Sequence, residues 1–152
     1  DLTGPALDWA AAKAQQLVEG GPYDDFCIRR GKLYLWCNGA LRDEVYSPTT
    51  NWLFGGPLID RENITIIRAN DDYETDADGF TTNKRIPQWF AECSRWTGHG
   101  LTTCYEGENM DPTFMISEDS GYYGTTPLIA AMRCYVSVKL GDEVEIPKEL
   151  LP

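Results

Sequence analysis

The stretch from Thr125 to Gly141, TTPLIAAMRCYVSVKLG, contains the signals of a helix with two defined ends. Thr126 suits the N-cap and Pro127 the first helical position, because the cap side chain accepts a backbone N–H and proline has none to lose. Apolar residues then recur at helical spacing, and Gly141 follows as a helix stop. The stretch predicts an amphipathic C-terminal helix whose apolar face needs a packing partner.

A second amphipathic helix is predicted near the N-terminus. Thr3 or Gly4 can cap it, Pro5 suits its first turn, and Gly20 and Gly21 are expected to end it. Its apolar residues again fall at helical spacing.

Between the two helices, residues 25–46 alternate in strand fashion. The pairs Arg30-Gly31 and Asn38-Gly39 predict two tight turns and therefore a three-strand meander. Further strands are predicted over 63–69 and within 86–118.

Glycine, proline and acidic residues predict the irregular segments. Residues 47–57 are expected to form a rigid loop, because Ser47-Pro48 and Gly55-Gly56-Pro57 frame them. Residues 71–78 are expected to form a solvated acidic loop, and a short edge segment should end at Pro147.

Together these patterns predict an α+β fold, in which an N-terminal and a C-terminal amphipathic helix pack on a central antiparallel sheet. We expect a single domain over 1–152.

The charge balance excludes several kinds of partner. The formal net charge is −11, which repels nucleic acid and predicts no direct nucleic-acid binding. No apolar run reaches the length of a membrane span, and no secretory signal is visible. A small anion can still bind at a local set of donors, because exposed charges are screened beyond about 8 Å.

Metal and catalytic patterns are absent. The five cysteines are odd in number and loosely spaced, which indicates reduced thiols. Cys93, His99 and Cys104 lack zinc-knuckle spacing and a fourth ligand. The acidic residues of 71–78 do not match a calcium loop. His99 is the only histidine, and no nucleophile motif accompanies it. We therefore predict no metal, no cofactor and no enzymatic activity, although a hydrolase or metalloenzyme built on carboxylates remains an alternative.

The start of the C-terminal helix is one candidate ligand site. Its unpaired N–H groups, the hydroxyls of Thr125 and Thr126, and Arg133 could hold an anion, and Gly121 and Gly124 would let a ligand approach. The plainer interpretation is a threonine cap worth about 1 kcal/mol.

The segment 46–61 is the other candidate. Tyr46 and Trp52 are large rings beside a Gly/Pro-framed loop, and the fork of Arg61 suits phosphate. The plainer interpretation places these rings in the core.

Three stretches resemble a known family. TGPALDWAAAKA (3–14), YSPTTNWLFGGPLIDRE (46–62) and TTPLIAAMRCYVSVKLGDEVEIPKEL (125–150) are similar to the phage NinX family of lambda-like phages and prophages. They cover a little over a third of the chain, and residues 71–122 lie outside the resemblance. The resemblance implies a phage accessory protein that acts in the host bacterial cytoplasm, and it implies no reaction.

Two functional hypotheses follow. The first is a non-enzymatic binder that sequesters a small nucleotide-like anion and blunts host nucleotide signalling, using Tyr46, Trp52, Arg61, Thr125, Thr126 and Arg133. The second is an acidic interaction module, or nucleic-acid mimic, that inhibits a host protein. Exposed tryptophan and tyrosine also suggest self-association.

Overall fold

The computed structural model describes residues 2–17, 25–93, 102–106, 111–115 and 122–151. Its helices are α1 (Gly4–Gln16), α2 (Trp52–Glu62) and α3 (Pro127–Leu140), followed by a 3₁₀ turn at Lys148–Leu150. The strands within these ranges are β1 (Asp25–Arg29), β2 (Lys32–Cys37), β3 (Ala40–Val45), β4 (Thr65–Arg68), β5 (Asp72–Thr75), β6 (Thr81–Ile86), β7 (Trp89–Glu92), β8 (Thr102–Glu106), β9 (Asp111–Met115) and β10 (Tyr122–Gly124). The predicted α+β class is confirmed.

The N-terminal meander forms as predicted, with antiparallel pairing in the order β1-β2-β3. Arg30 and Gly31 have φ angles of 51° and 69°, and Asn38 and Gly39 have φ angles of 52° and 74°. Positive φ at both central residues defines the type I′ turn, whose twist matches the flanking strands. Both predicted turns are thus confirmed.

A second three-stranded antiparallel sheet has the order β10-β7-β4. The helix α3 packs on this sheet, and α1 and α2 both pack against α3. Tyr135 and Met132 of α3 are completely buried in the main core. The strands therefore form separate sheets rather than one central sheet, and α1 contacts only β2 of the meander closely.

The prediction of an irregular loop over residues 47–57 is wrong, because the helix α2 begins within this segment. The side chain of Asn51 caps the helix by accepting a hydrogen bond from the Leu53 N–H at 3.0 Å. A Cβ on Gly55 would lie 2.6 Å from both Leu128 Cδ2 and the Pro48 carbonyl oxygen. This glycine therefore permits close packing of α2 on α3 rather than a turn.

The acidic segment also differs from its prediction. Residues 72–75 form β5, which pairs with β6, because cross-strand pairing outweighs the turn-like composition. The carboxylate of Asp76 accepts the backbone N–H of Phe80 at 2.8 Å and shapes the hairpin turn. The predicted edge segment before Pro147 forms no strand.

Some predictions fall elsewhere. The helix α1 ends at Gln16, before the expected stop at Gly20-Gly21. Both of these glycines, Gly121 and His99 lie outside the described residues. Within the described ranges, none of the helices has the length and apolar character needed to cross a membrane.

Candidate functional site

Tyr46 belongs to the core of the meander. It is 2% exposed, its ring centroid lies 5.1 Å from that of Phe54, and its hydroxyl is hydrogen-bonded by the Gln15 side chain. A ligand in solvent cannot stack on this ring.

Trp52 and Arg61 lie at opposite ends of α2. Trp52 is the first helical residue and is 55% exposed. Arg61 comes nine positions later, which is about 13 Å along the helix axis. One small ligand therefore cannot use both through a compact site.

Arg61 is part of an ionic cluster that joins α2 to α3. Its Nε donates to Glu62 Oε1 at 2.9 Å and its terminal nitrogen donates to the Tyr135 hydroxyl at 3.2 Å. Lys139 Nζ lies 3.0 Å from Glu62 Oε2. Burial opposes ionisation of Glu62, but Lys139 and Arg61 together outweigh it and hold the pKa of Glu62 below its usual value. The cluster holds the two helices together.

The start of α3 is occupied by the chain itself. Thr126 Oγ1 accepts the Ile129 N–H at 3.2 Å, and the Ala130 N–H donates to the Thr126 carbonyl. A Cβ on Gly124 would lie 2.5 Å from Ala130 N, so β10 closes over this turn. Thr126 is the predicted cap, and few N–H groups remain for an anion.

Arg133 lines a cavity of about 390 Å³ together with Tyr122, Ser137, Asp142 and Glu143. Its Nε donates to the Leu2 carbonyl at 3.2 Å and a terminal nitrogen donates to the Tyr123 carbonyl at 2.7 Å. Burial lowers the pKa of Arg133. Because two carboxylates share this cavity with one guanidinium, it disfavours an anion.

The structure thus does not bring the six predicted residues into one pocket. Tyr46, Arg61, Thr126 and Arg133 make contacts that stabilise the fold. Trp52 and Thr125 are exposed, and a ligand role for these two residues stays a prediction.

A different basic groove lies on the meander. It has a volume of about 420 Å³ and is lined by Arg29, Arg30, Tyr34, Leu41, Arg42 and Asp43. We call it the arginine groove. Three guanidinium groups face a single carboxylate, so its local charge is opposite to that of the whole chain.

A β-bulge on β3 shapes this groove. Tyr34 of β2 pairs with Val45 of β3, and Trp36 pairs with Leu41. Between these two pairs the chain advances two residues along β2 but four residues along β3. Successive side chains in a regular strand point to opposite faces. Arg42 and Asp43 nevertheless line the same cavity, because the bulge re-aims them.

The arginines of the groove have no ion-pair partner in the part of the chain that the structure describes. Among the described residues, no carboxylate lies within ion-pair distance of Arg29, Arg30 or Arg42, whereas Arg61 and Arg68 are both ion-paired. Three positive charges around one cavity that holds a single carboxylate repel each other. A bound anion would relieve that repulsion.

A second cavity lies beside the first, towards the meander core. It has a volume of about 360 Å³ and is lined by Leu35, Cys37, Arg42, Asp43, Glu44 and Phe54. We call it the inner cavity. It shares Arg42 and Asp43 with the arginine groove, so the bulge borders both.

Sequence reasoning missed both cavities, although one signal was present. Four of the chain's 13 basic residues fall between positions 29 and 42, namely Arg29, Arg30, Lys32 and Arg42. This local excess is hidden by the net charge of −11.

The described residues hold no group of three or more potential metal ligands. The Cys93 thiol is buried and donates to the Glu62 carbonyl at 3.0 Å, as expected for a structural thiol. Burial raises the pKa of Cys134 to about 12, which keeps this thiol protonated. The side chains of His99 and Cys104 lie outside the described residues.

Comparison with known protein families gives a match over the N-terminal two thirds of the chain. The family model described as Bacteriophage P22, NinX matches residues 1–99. The chain belongs to the phage NinX family. It is accordingly a phage accessory protein.

The NinX match reaches residue 99, so it includes part of the segment 71–122 that the three resembling stretches leave uncovered. It includes the meander, α2 and β4 to β7, and hence both cavities at the bulge. The third resembling stretch, 125–150, lies beyond the matched residues. No curated protein matches the chain.

Proposed function

We propose that this NinX-family protein binds a small, nucleotide-like anion in the arginine groove and does not turn it over. The observation that carries the proposal is the set of three guanidinium groups around one cavity, without an ion pair among the described residues. Guanidinium forks bind phosphate oxygens bidentately. Tyr34 supplies a ring beside them.

The charge of the whole molecule favours a small ligand over a polymer. A nucleic acid would meet the field of a chain with net charge −11, whereas a small anion responds mainly to charges within a Debye length of about 8 Å. In a phage accessory protein that acts in a host cell, such a site suits sequestration of a host signalling nucleotide in the cytoplasm and counteraction of nucleotide-based defence.

Binding without turnover is the form of the proposal that the groove supports. Its lining has three arginines, a tyrosine, a leucine and one aspartate, which together supply charge and stacking. A pair of acid and base groups facing a common reactive position is not part of this lining.

The first test is thermal unfolding with a panel of linear and cyclic nucleotides. A ligand at 100 times its dissociation constant stabilises the native state by about 2.7 kcal/mol, which raises the melting temperature by several degrees. Chromatography of the same samples should recover the nucleotide intact. The absence of a shift with every nucleotide would refute the proposal, and product formation would refute its non-enzymatic part.

The sharpest variant is Arg30→Asn. It removes one guanidinium and leaves an Asn-Gly pair, which type I′ turns prefer, so the meander should keep its fold. We expect this variant to lose most of the nucleotide-induced shift. The control is Arg85→Gln, because Arg85 is an exposed arginine on β6 that does not line the groove.

The hairpin of β5 and β6 favours a second candidate function, the acidic interaction module. Phe80 is 72% exposed and Tyr73 42% exposed, and both stand among carboxylates. A basic partner protein would pair with such a surface. The double variant Asp78→Lys/Phe80→Ala spares the turn-forming Asp76. The test uses a partner protein that the unaltered protein captures and that also binds it after purification. The double variant should no longer bind this partner. Unchanged binding would rule out the acidic interaction module.

A further inference from the structure

We propose that the ligand carries a guanine base, and that this base lies in the inner cavity while its phosphates lie in the arginine groove. The inference rests on the proposed function, since it requires the phosphates to bind at Arg29, Arg30 and Arg42. It adds a second subsite and a base preference to that function.

The inner cavity has the walls that a planar heterocycle needs. Leu35 is buried at one side and Phe54 lies half-buried at another. Contact with the ring of Tyr46, at 5.1 Å between centroids, fixes the orientation of Phe54. A ring held in this way offers a preformed surface on which a base can stack.

The bulge connects the two subsites. Arg42 and Asp43 line both the inner cavity and the arginine groove. The strand β3 is an edge of its sheet, because it pairs only with β2 in the described part of the chain. A nucleotide can therefore lie across this edge, with its base on one side of the bulge and its phosphates on the other.

The carboxylates of the inner cavity select the base. Glu44 lines only the inner cavity, and Asp43 borders it. A carboxylate is an acceptor with two oxygens, and it binds best to two parallel N–H donors. Guanine presents such a pair in its N1–H and exocyclic amino group. Adenine instead presents one amino donor beside the lone pair of N1, which a carboxylate repels.

The position of the carboxylates relative to the arginines supports this orientation. Phosphates beside Glu44 would be repelled, and phosphates beside Arg29 and Arg30 would be attracted. The base is therefore expected at the Glu44 end of the bulge.

The test is calorimetric titration of the unaltered protein with GTP, ITP, ATP and inorganic tripolyphosphate. We expect GTP to bind about tenfold to a hundredfold more tightly than ATP, as one bidentate contact discriminates bases. Inosine lacks the exocyclic amino group, so ITP should fall between them. Glu44→Gln should remove most of the preference for GTP over ATP and leave the affinity for tripolyphosphate unchanged.

The control is Asp72→Asn, an exposed carboxylate change on the distant β5–β6 hairpin, which should preserve the preference. Equal affinities for GTP and ATP, with tripolyphosphate still bound in a manner that depends on Arg30, would overturn the guanine inference alone. Binding of neither the nucleotides nor tripolyphosphate would overturn the proposed function as well. A preference for GTP that survives Glu44→Gln would overturn the assigned role of Glu44.

Discussion

At the scale of single residues, Arg30 and Asn38 form a natural comparison. They occupy the same position in two type I′ turns of the meander, with φ angles of 51° and 52°. Asparagine is favoured there, whereas a long side chain in the left-handed region is unusual. The arginine occupies this position against local preference, and its guanidinium lines the arginine groove. This choice is explained if the charge has a function.

Gly55 should be irreplaceable for a packing reason. Gly55→Ala places a Cβ 2.6 Å from the Pro48 carbonyl oxygen, a backbone atom that cannot move cheaply. We expect a loss of about 1–3 kcal/mol in the free energy of unfolding, measured by urea denaturation. Gly56→Ala is the matched control, because its nearest neighbour is the Trp52 ring at 3.9 Å. That control should gain up to about 1 kcal/mol through helix propensity. Equal effects of the two changes would contradict the packing assignment.

Glu62 should make stability depend on acid pH. Its pKa in the folded protein lies below the ordinary value of 4.5, so its ionised form stabilises the fold above that pH, and this contribution is lost as the pH falls through the folded-state pKa. Glu62→Gln should cost about 1.5–3 kcal/mol at pH 7.

The difference in unfolding free energy between the unaltered protein and Glu62→Gln should then shrink as the pH falls below 4.5. The exposed change Glu149→Gln is the control and should cost little at any pH. A difference that stays constant from pH 7 to pH 3 would show that the charge of Glu62 does not stabilise the fold.

At the scale of elements, the caps of α2 and α3 have the same construction. Asn51 accepts the Leu53 N–H and Thr126 accepts the Ile129 N–H, so each side chain satisfies a donor in the first turn. These caps fix where the two helices begin, and their packed side chains then meet along the shared interface.

Thr126 should act as a cap and not as a ligand. Thr126→Ala should lower the free energy of unfolding by about 1 kcal/mol, and Thr126→Ser should restore it. Calorimetry should show unchanged nucleotide affinity for both variants. A marked loss of affinity in Thr126→Ala alone would move the anion site from the arginine groove to the start of α3.

The elements differ in how far the sequence predicts them. The meander and α3 follow from local signals, since Asn38-Gly39 specifies a tight turn and Thr126-Pro127 specifies the start of a helix. The sequence does not predict α2, because the glycine at position 55 is required by close packing against Leu128, which is far along the chain. The sequence also does not predict the strands that pair with β7. Ala91 of β7 pairs with both Ile66 and Tyr122, which are distant from it in the chain. No local pattern encodes such pairings.

The candidate site was harder to predict than the fold. The sequence predicts arginine and tyrosine side chains at a phosphate site, and it points to Arg61, Arg133 and Tyr46. In the structure Arg61 is ion-paired, Arg133 is hydrogen-bonded to backbone carbonyls and Tyr46 is buried. The groove depends on the register of β3, where the bulge places Arg42 at the same cavity as Tyr34. A bulge of this kind leaves no mark in strand periodicity.

At the scale of the whole molecule, the decisive feature is a local reversal of charge. The chain has net charge −11, yet its arginine groove has three guanidinium groups and one carboxylate. The acidic remainder should discourage polymers, while the groove itself still attracts a compact polyphosphate.

The most direct test of this account is calorimetric titration of GTP into the unaltered protein and into the double variant Arg30→Asn/Arg42→Ala. We predict one saturable site per chain in the unaltered protein. The variant should bind about tenfold to a hundredfold more weakly for each charge-assisted hydrogen bond lost. Equal GTP affinities in the two proteins would contradict the assignment of the arginine groove as an anion site, and no detectable binding of GTP by the unaltered protein would contradict the guanine inference.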